Sequence, residues 1–364
     1  MDSTALPLKF SQKEILSKLK DWSSELGFQD IGVANLDLHS DINYLESWLD
    51  SGYHGSMAYL EQNKEKRYEP KELIPGTLSV ISVRCDYLNI DLNDSIETLE
   101  KPDVAYIARY ALGRDYHKVL RSKLKKLANS LQKHIGPLGY RVFTDSAPVL
   151  ERALARNSGL GWIGKNTNLI NKKEGSMFFL GEIFTDIPLA PSKIKPTNHC
   201  GTCKECIDIC PTNAIVAPYK LDASRCISYL TIESKKAIPI EYRKSIGNRI
   251  FGCDDCQLFC PWNKYAKLTT IADFAPRHGL EKTRLIDLFL LDENEFEKIT
   301  LGSAVRRINY VQWLRNLAVA LGNAPTSPEV LQALEKRLIF PDEMVLEHVT
   351  WAILEHKKNL TKPQ

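Results

Sequence analysis

The stretch CGTCKECIDICP places Cys200, Cys203, Cys206 and Cys210 at x2, x2 and x3 spacing, with Pro211 behind the last. Soft thiolates in that run match the bacterial ferredoxin pattern for a 4Fe–4S cluster, because short loops let three of them converge on one cubane. Structural zinc also takes four cysteines, but usually from two separated CxxC knuckles, which this run fits poorly. In two-cluster ferredoxins the fourth cysteine of each run ligates the other cluster, so a second set is required. It is present as Cys226, followed by CDDCQLFCP with Cys253, Cys256, Cys260 and Pro261. The crossover rule assigns one cluster to Cys200, Cys203, Cys206 and Cys260 and the other to Cys210, Cys226, Cys253 and Cys256. Cys85 is left over and reads as a small buried residue, with a place beside a cofactor as the alternative.

Two adjacent clusters pass electrons singly. A ferredoxin-like carrier is therefore the plain reading, but a carrier needs little beyond the cysteine module. That module is under a fifth of the 364 residues, so the rest must house whatever receives the electrons. The chain is long enough for two or three domains. Hydrophobic residues at 43% and charged residues at 26% give an ordinary globular balance, and a net charge of +3 is too small to prove a nucleic-acid partner by itself. The start, MDSTALPLKF, lacks a basic region followed by an apolar run, and no 18-residue apolar span occurs. Eight of nine cysteines crowd into residues 200–260 at ligand spacing, which reads as metal ligation in a cytoplasmic protein rather than disulfides.

The elements that must position this chemistry divide the chain. Residues 1–186 read as a mixed α/β or α+β domain. SQKEILSKLKDWSSELG is an amphipathic helix capped by Ser11 and ended by Gly27. FQDIGVANL, LSVISVRC, VAYIARY, YRVFT and MFFLGEIFT read as strands, and a long helix over 116–135 carries Val119, Leu120, Leu124, Leu127, Leu131 and Ile135 on one stripe. Residues 187–270 form the ferredoxin-like module, entered through the proline-rich IPLAPSKIKPTNH and stretched by a basic insertion at 227–252. Residues 271–364 read as helical, with SAVRRINYVQWLRNLAVALGN as one periodic segment and a Ser-Pro start at TSPEVLQALEKRL. About two HEAT-like units would fit.

At this point the chain resembles the epoxyqueuosine reductase family. The segments ARYALGRDYHKVL (108–120) and FTDSAPVLERALARNSGLGWIGKN (143–166), the doubled cysteine module and the helical tail carry the resemblance over nearly the whole length. It implies the last step of queuosine synthesis, in which epoxyqueuosine at the wobble position of tRNA loses its epoxide oxygen. It implies cobalamin beside the two clusters, held by the N-terminal domain with its lower nucleotide tail detached from cobalt, as in reductive dehalogenases. The implied partners are the tRNA anticodon stem-loop and a reductant such as a flavodoxin or ferredoxin, with a monomer as the expected state. Two other readings remain: a dehalogenase-type corrinoid enzyme acting on a small molecule, and the ferredoxin-like carrier.

Opening an epoxide to an alkene takes two electrons and protons for the departing oxygen, so a carboxylic acid kept protonated by burial is expected. Asp145, just past the strand YRVFT, matches the acidic residue of the family motif. From its type alone it would cap the helix beginning near Pro148. The glycines of GLGWIGKN let backbone approach a flat ligand, and the resemblance lays Gly164, Lys165 and Asn166 against cobalamin. It adds Arg67 and the CDDC turn, Cys253, Asp254, Asp255 and Cys256, together with Asp145 itself. Tyr110 and His117 are further candidates for the pocket wall, although a single helical histidine is more often surface or core.

Residues 114–141 hold eight Lys or Arg against Asp115 alone, a one-signed run where solvated faces usually mix charges. Lys118, Arg121 and Lys125 from that run, Lys235, Lys236 and Arg243 from the insertion, and Arg306 and Arg307 from the tail are the expected phosphate contacts, with Arg315 beside them.

Overall fold

The computed structural model describes residues 10–194 and 197–361. The first nine residues, on which the expected lack of a signal peptide rests, lie outside these, as do residues 195 and 196 of the proline-rich linker. Among the described residues no helix is long and apolar enough to cross a membrane.

The N-terminal part is organised on a four-stranded sheet of β1 (Asp30–Val33), β2 (Ser79–Asp86), β4 (Tyr140–Phe143) and β5 (Phe178–Thr185), in the order β1-β2-β5-β4. Every pairing is antiparallel. β2 is buried along its whole length because helices cover both faces of the sheet. One face carries Ile81, Val83, Cys85 and Ile183, packed under the helices Gln12–Glu25 and Tyr116–Ile135. The alternate positions Val80 and Phe184 face Ala153 and Leu154 of the helix Glu151–Asn157, as the two-residue period of a strand requires. The long helix is fixed by Asp115, whose carboxylate accepts from the His117 N–H at 3.0 Å, and its buried face is the stripe read from sequence. It approaches β5 at Gly181, where a Cβ would stand 2.9 Å from Leu124 Cδ1. Cys85 is fully buried in this core, and burial pushes its thiol up to about 12, so it is a packing residue.

Two elements depart from the sequence reading, and each departure has a physical cause. VAYIARY yields only β3 (Tyr106–Ile107), which pairs in parallel with β6 (Arg249–Phe251) of the basic insertion instead of joining the main sheet. The insertion is thus packed, not splayed: Ile227, Leu230, Ile238 and Ile246 bury against Val319 of the tail. SAVRRINYVQWLRNLAVALGN is not one helix. Asn309 and Gln312 form a capping box that starts a new helix, Tyr310–Asn323, after a short 3-10 turn at Ala304–Arg307. That helix meets the last one, Glu343–Thr361, so closely that a Cβ on Gly322 would lie 2.4 Å from the Trp351 ring. The linker before Cys200 is anchored, because Ser79 Oγ donates to Ile187 O and accepts from Leu189 N–H.

Candidate active site and cluster sites

The two cysteine turns are built alike. Each holds a four-residue helix, Glu205–Asp208 and Asp255–Leu258, around its middle cysteine. After each trailing proline the chain folds back, with Asn213 N–H donating to Cys210 O at 3.1 Å and Asn263 N–H donating to Cys260 O at 2.9 Å. Cys200, Cys203, Cys206 and Cys260 together line one small cavity, joined by Lys165, Asn166 and Trp262. Burial and then the sulfurs of Cys260, Cys200 and Cys203 push the Cys206 thiol up to about 11. Burial and the neighbouring sulfurs of Cys226, Cys210 and Cys206 raise Cys256 in the same way, and burial, Asp255 and Cys226 raise Cys253. One cavity thus gathers the first of the two sets that the crossover spacing predicts, which leaves Cys210, Cys226, Cys253 and Cys256 as the candidates for the second. Among the described residues no group of three or more His, Cys, Asp or Glu closes on a single metal ion. Four sulfurs around a cavity suit a cubane, whose iron displaces the thiol protons on binding.

Asp145 does not cap a helix. The following helix begins at Glu151 with no side-chain cap, and Asp145 adopts a left-handed backbone at φ 58°. Its Oδ2 accepts a short hydrogen bond from the Tyr116 hydroxyl and lies 3.2 Å from His117 Nε2. The other ring nitrogen of His117 is 2.8 Å from Asp115 Oδ1, so the ring is held between two carboxylates. Burial opposes its charged form, but hydrogen bonds and charges from Asp115 and Asp145 raise His117 to about 9. For Asp145 burial favours the protonated acid, yet hydrogen bonds from His117 and Tyr116, with the charges of His117 and Arg307, bring it below the usual carboxylate value. The expectation of a carboxyl kept protonated by burial is therefore corrected: at neutral pH the proton of this pair rests on His117.

Beside Tyr116 opens a cleft of about 220 Å³. Tyr87, Tyr110, Tyr116, Phe178 and Phe179 give it aromatic walls, and Arg152, Asn168, Ser176 and Gln257 add polar groups. Asn168 Nδ2 lies 4.0 Å from Cys256 Sγ, so the cleft spans from the Asp145 pair to the second cysteine set. Tyr110 was legible as a wall residue, whereas Tyr87, Phe178, Phe179 and Gln257 carried no signal beyond apolar or polar type.

Several expected cofactor contacts have other employment. Lys165 donates to Gly201 O at 2.6 Å and Cys203 O at 2.8 Å, holding the first cysteine loop. Asn166 Nδ2 donates to Cys256 O at 3.0 Å. Gly164 packs against Ile170, whose Cδ1 would be 2.4 Å from an added Cβ. Asp254 accepts from the Tyr106 hydroxyl and from Arg109 N–H, both at 2.8 Å, and Asp255 pairs with Arg249. Their carboxylates, like the Lys165 ammonium, serve the cluster turns and not the cleft. Arg67 donates to Tyr59 O at 3.3 Å, and its Nε is buried without a partner among the described residues.

Lys118, Arg121 and Lys125 are exposed at spacings of three and four on the long helix, hence on one face. Arg121 reaches Ser146 Oγ, so this stripe starts at the Asp145 loop. Lys235, Lys236, Arg306 and Arg307 are exposed, with Arg306 3.3 Å from Glu297 and Arg307 3.0 Å from Glu233. Arg243 is a correction. It is 2% exposed, donates to Ile238 O and pairs with Glu347 at 2.8 Å, so no phosphate reaches it. Arg315 is likewise buried and donates to the carbonyls of Leu230, Ser234 and Lys236. Replacing Arg243 by alanine is expected to cost about 1–3 kcal/mol of stability, read by denaturant melts, and to leave the salt dependence of RNA binding unchanged.

Residues 199–263 match a family model described as a 4Fe-4S double cluster binding domain, and residues 67–146 match one described as epoxyqueuosine reductase QueG, DUF1730. The chain is 54% identical to an epoxyqueuosine reductase of Pseudomonas aeruginosa over 94% of both chains. It is similar to a crystal structure of an epoxyqueuosine reductase with an epoxyqueuosine-modified tRNA-Tyr stem loop, at 28% identity and a TM-score of 0.84, covering 97% of this chain and 96% of that one. It also resembles the Bacillus subtilis enzyme seen with its catalytic aspartate loop swung out of the active site, at 28% identity and a TM-score of 0.85, over 97% of this chain and 96% of that one. Identity at this level over almost the full length, with the double-cluster and QueG family models both matched, makes the chain a member of the epoxyqueuosine reductase family.

Proposed function

We infer that this protein reduces epoxyqueuosine to queuosine in tRNA, using two 4Fe–4S clusters, with cobalamin seated in the aromatic cleft. The observation that carries this reading is the cleft reaching from Tyr116, which bonds Asp145, to Asn168, which lies 4.0 Å from the Cys256 sulfur. Its five aromatic side chains can pack on the flat face of a macrocycle, and Arg152, Asn168, Ser176 and Gln257 can meet amide groups on its rim. The unpartnered Arg67 Nε is a donor suited to a polar group of such a ligand. Backbone of the Gly164–Asn166 turn and of the CDDC turn is the remaining candidate for contact. Cobalamin, when bound, supplies a centre able to gather two electrons from carriers that pass them singly.

The chain's own residues handle the proton. Asp145 is proposed to relay the proton to the departing epoxide oxygen: His117, 3.2 Å away, holds it and gives it up to the carboxylate as the C–O bond breaks. Tyr116 fixes the carboxylate oxygen that faces His117. With His117 raised from 6.5 to about 9, its proton is present through neutral pH and is lost as pH rises through that value. Turnover is expected to be level from pH 7 to 8 and to fall above about 9. The stability that the charged ring contributes is complete below 6.5 and disappears over the same upper window. A kcat profile and thermal melts across that range check both, and His117→Gln should abolish the alkaline limb.

The division into residues 1–186, 187–270 and 271–364 assigns the cleft to the first part, the clusters to the second and a HEAT-like helical wall to the third. The exposed stripe of Lys118, Arg121 and Lys125, with Lys235, Lys236, Arg306 and Arg307, is proposed to follow the phosphates of the anticodon stem-loop while the modified base is splayed into the cleft. Each alanine replacement at Lys118 or Arg121 is expected to lower the salt slope of stem-loop binding by about one. Slopes equal to wild type in filter-binding titrations would remove these residues from the interface. The outside reductant is proposed to be a flavodoxin or ferredoxin, acting on a monomer in the cytoplasm.

A further inference from the structure

Glu182 sits in the middle of β5, 0% exposed, and among the described residues no donor reaches either of its carboxylate oxygens. A buried carboxylate in that position would be costly. Its register partners Ser82 and Phe143 place it on the sheet face covered by the Glu151–Asn157 helix. The Ser82 hydroxyl beside it is also buried without a partner. The side chain within hydrogen-bonding reach is that of Glu151. Two carboxyl groups bond to one another only when one of them carries a proton, because ionised carboxylates only accept. Burial raises both acids, Glu151 to about 7 and Glu182 well above the ordinary value, which agrees with a shared proton.

Glu151 has a second contact. Its Oε1 accepts from the backbone N–H of Asp145, the residue held in the left-handed region at φ 58°. That backbone costs a non-glycine residue about 1 kcal/mol, so it persists only when its surroundings hold it. A proton on Glu182 shared with Glu151 would make the line from the sheet to the loop continuous, because Glu151 already accepts from the Asp145 amide. A similar enzyme has been seen with its catalytic aspartate loop swung out of the active site, so in that enzyme the loop has a second position.

We propose that Glu182, as a neutral acid, and Glu151 are positioning residues that latch the Asp145 loop over the cleft. The inference rests on Asp145 being the proton donor. Neither glutamate touches the reacting atoms. They act through the amide of Asp145, so their loss lowers kcat by thinning the population with the loop inward and leaves KM for the stem-loop unchanged.

The test compares Glu182→Gln with Glu182→Leu in the full chain carrying both clusters and cobalamin. The glutamine amide still donates to Glu151, whereas leucine fills the space without a donor. Hydrogen–deuterium exchange at residues 144–147 and kcat against KM are measured for each. The Gln variant is expected within about threefold of wild type in both readouts. The Leu variant is expected to show about tenfold faster exchange confined to the loop and about tenfold lower kcat, with β5 protection and thermal stability retained. Wild-type exchange at the loop of the Leu variant would overturn the latch, as would equal impairment of the two variants. Faster loop exchange with unchanged kcat would uphold the latch and overturn Asp145 as the donor.

Discussion

Replacing Asp145 with asparagine is expected to lower kcat for the epoxyqueuosine stem-loop about 10³-fold, with KM changed little. Asparagine keeps an oxygen for the Tyr116 hydroxyl and tolerates the left-handed backbone at φ 58°, so the loop geometry survives. What it loses is the ability to pass a proton from His117 to a departing oxygen. The comparison with His117→Gln separates the two members of the pair. That variant still has a carboxyl at the cleft, but one that must be recharged from solvent, so its loss is expected to be smaller, about tenfold, and to shrink as the buffer is made more acidic. Steady-state kinetics on both variants, with iron and cobalamin contents matched to wild type, decide the order. If Asp145→Asn turned over normally, the proton would have another source.

The second large effect concerns the crossed ligand sets. Cys210 stands in the first cysteine run and Cys226 far from the second, yet both are expected to serve the cluster beside the cleft. Cys210→Ser and Cys226→Ser should therefore remove the same cluster, halve the iron and abolish reduction. Cys260→Ser should remove the other, although Cys260 lies only four residues from Cys256. Spectra of the reduced variants distinguish the clusters, because each cluster's potential and spin signature reflect its own burial and hydrogen bonds. Uncrossed sets would pair Cys210 with Cys203 in its loss pattern, and that result would contradict the cavity formed by Cys200, Cys203, Cys206 and Cys260.

The expected ligand topology comes from local spacing and one exchange rule, and the cavity formed by Cys200, Cys203, Cys206 and Cys260 agrees with half of it. The long helix was legible because its stripe recurs every three to four residues, and Asp115 and Gly136 punctuate it. What could not be read depends on partners far away in sequence. Arg243 looks like any basic residue of a loop until Glu347, 104 residues on, arrives beside it. Tyr106–Ile107 looks like a sheet strand until the insertion offers Arg249–Phe251 as its partner. Asp145 had two local readings, and its contacts with Tyr116 and His117 removed the helix cap. Lys165 and Asp254 carry charges that suggest ligand contact, but each satisfies backbone groups around the cysteine turns. Glu182 did leave a sign, a single acid inside the apolar run MFFLGEIFT, whose meaning appears only when the Glu151 helix covers it.

The central claim joins the clusters, the cleft and the Asp145 pair into one path ending on a tRNA base. Its most direct test is turnover by the intact protein, purified without oxygen, carrying both clusters and cobalamin, and supplied with a chemical reductant and an epoxyqueuosine-bearing stem-loop. Mass spectrometry of the released nucleosides is expected to show epoxyqueuosine replaced by queuosine, 16 Da lighter for the lost oxygen, with the Asp145→Asn protein about 10³-fold slower. Unchanged epoxyqueuosine with the fully loaded protein would contradict the account.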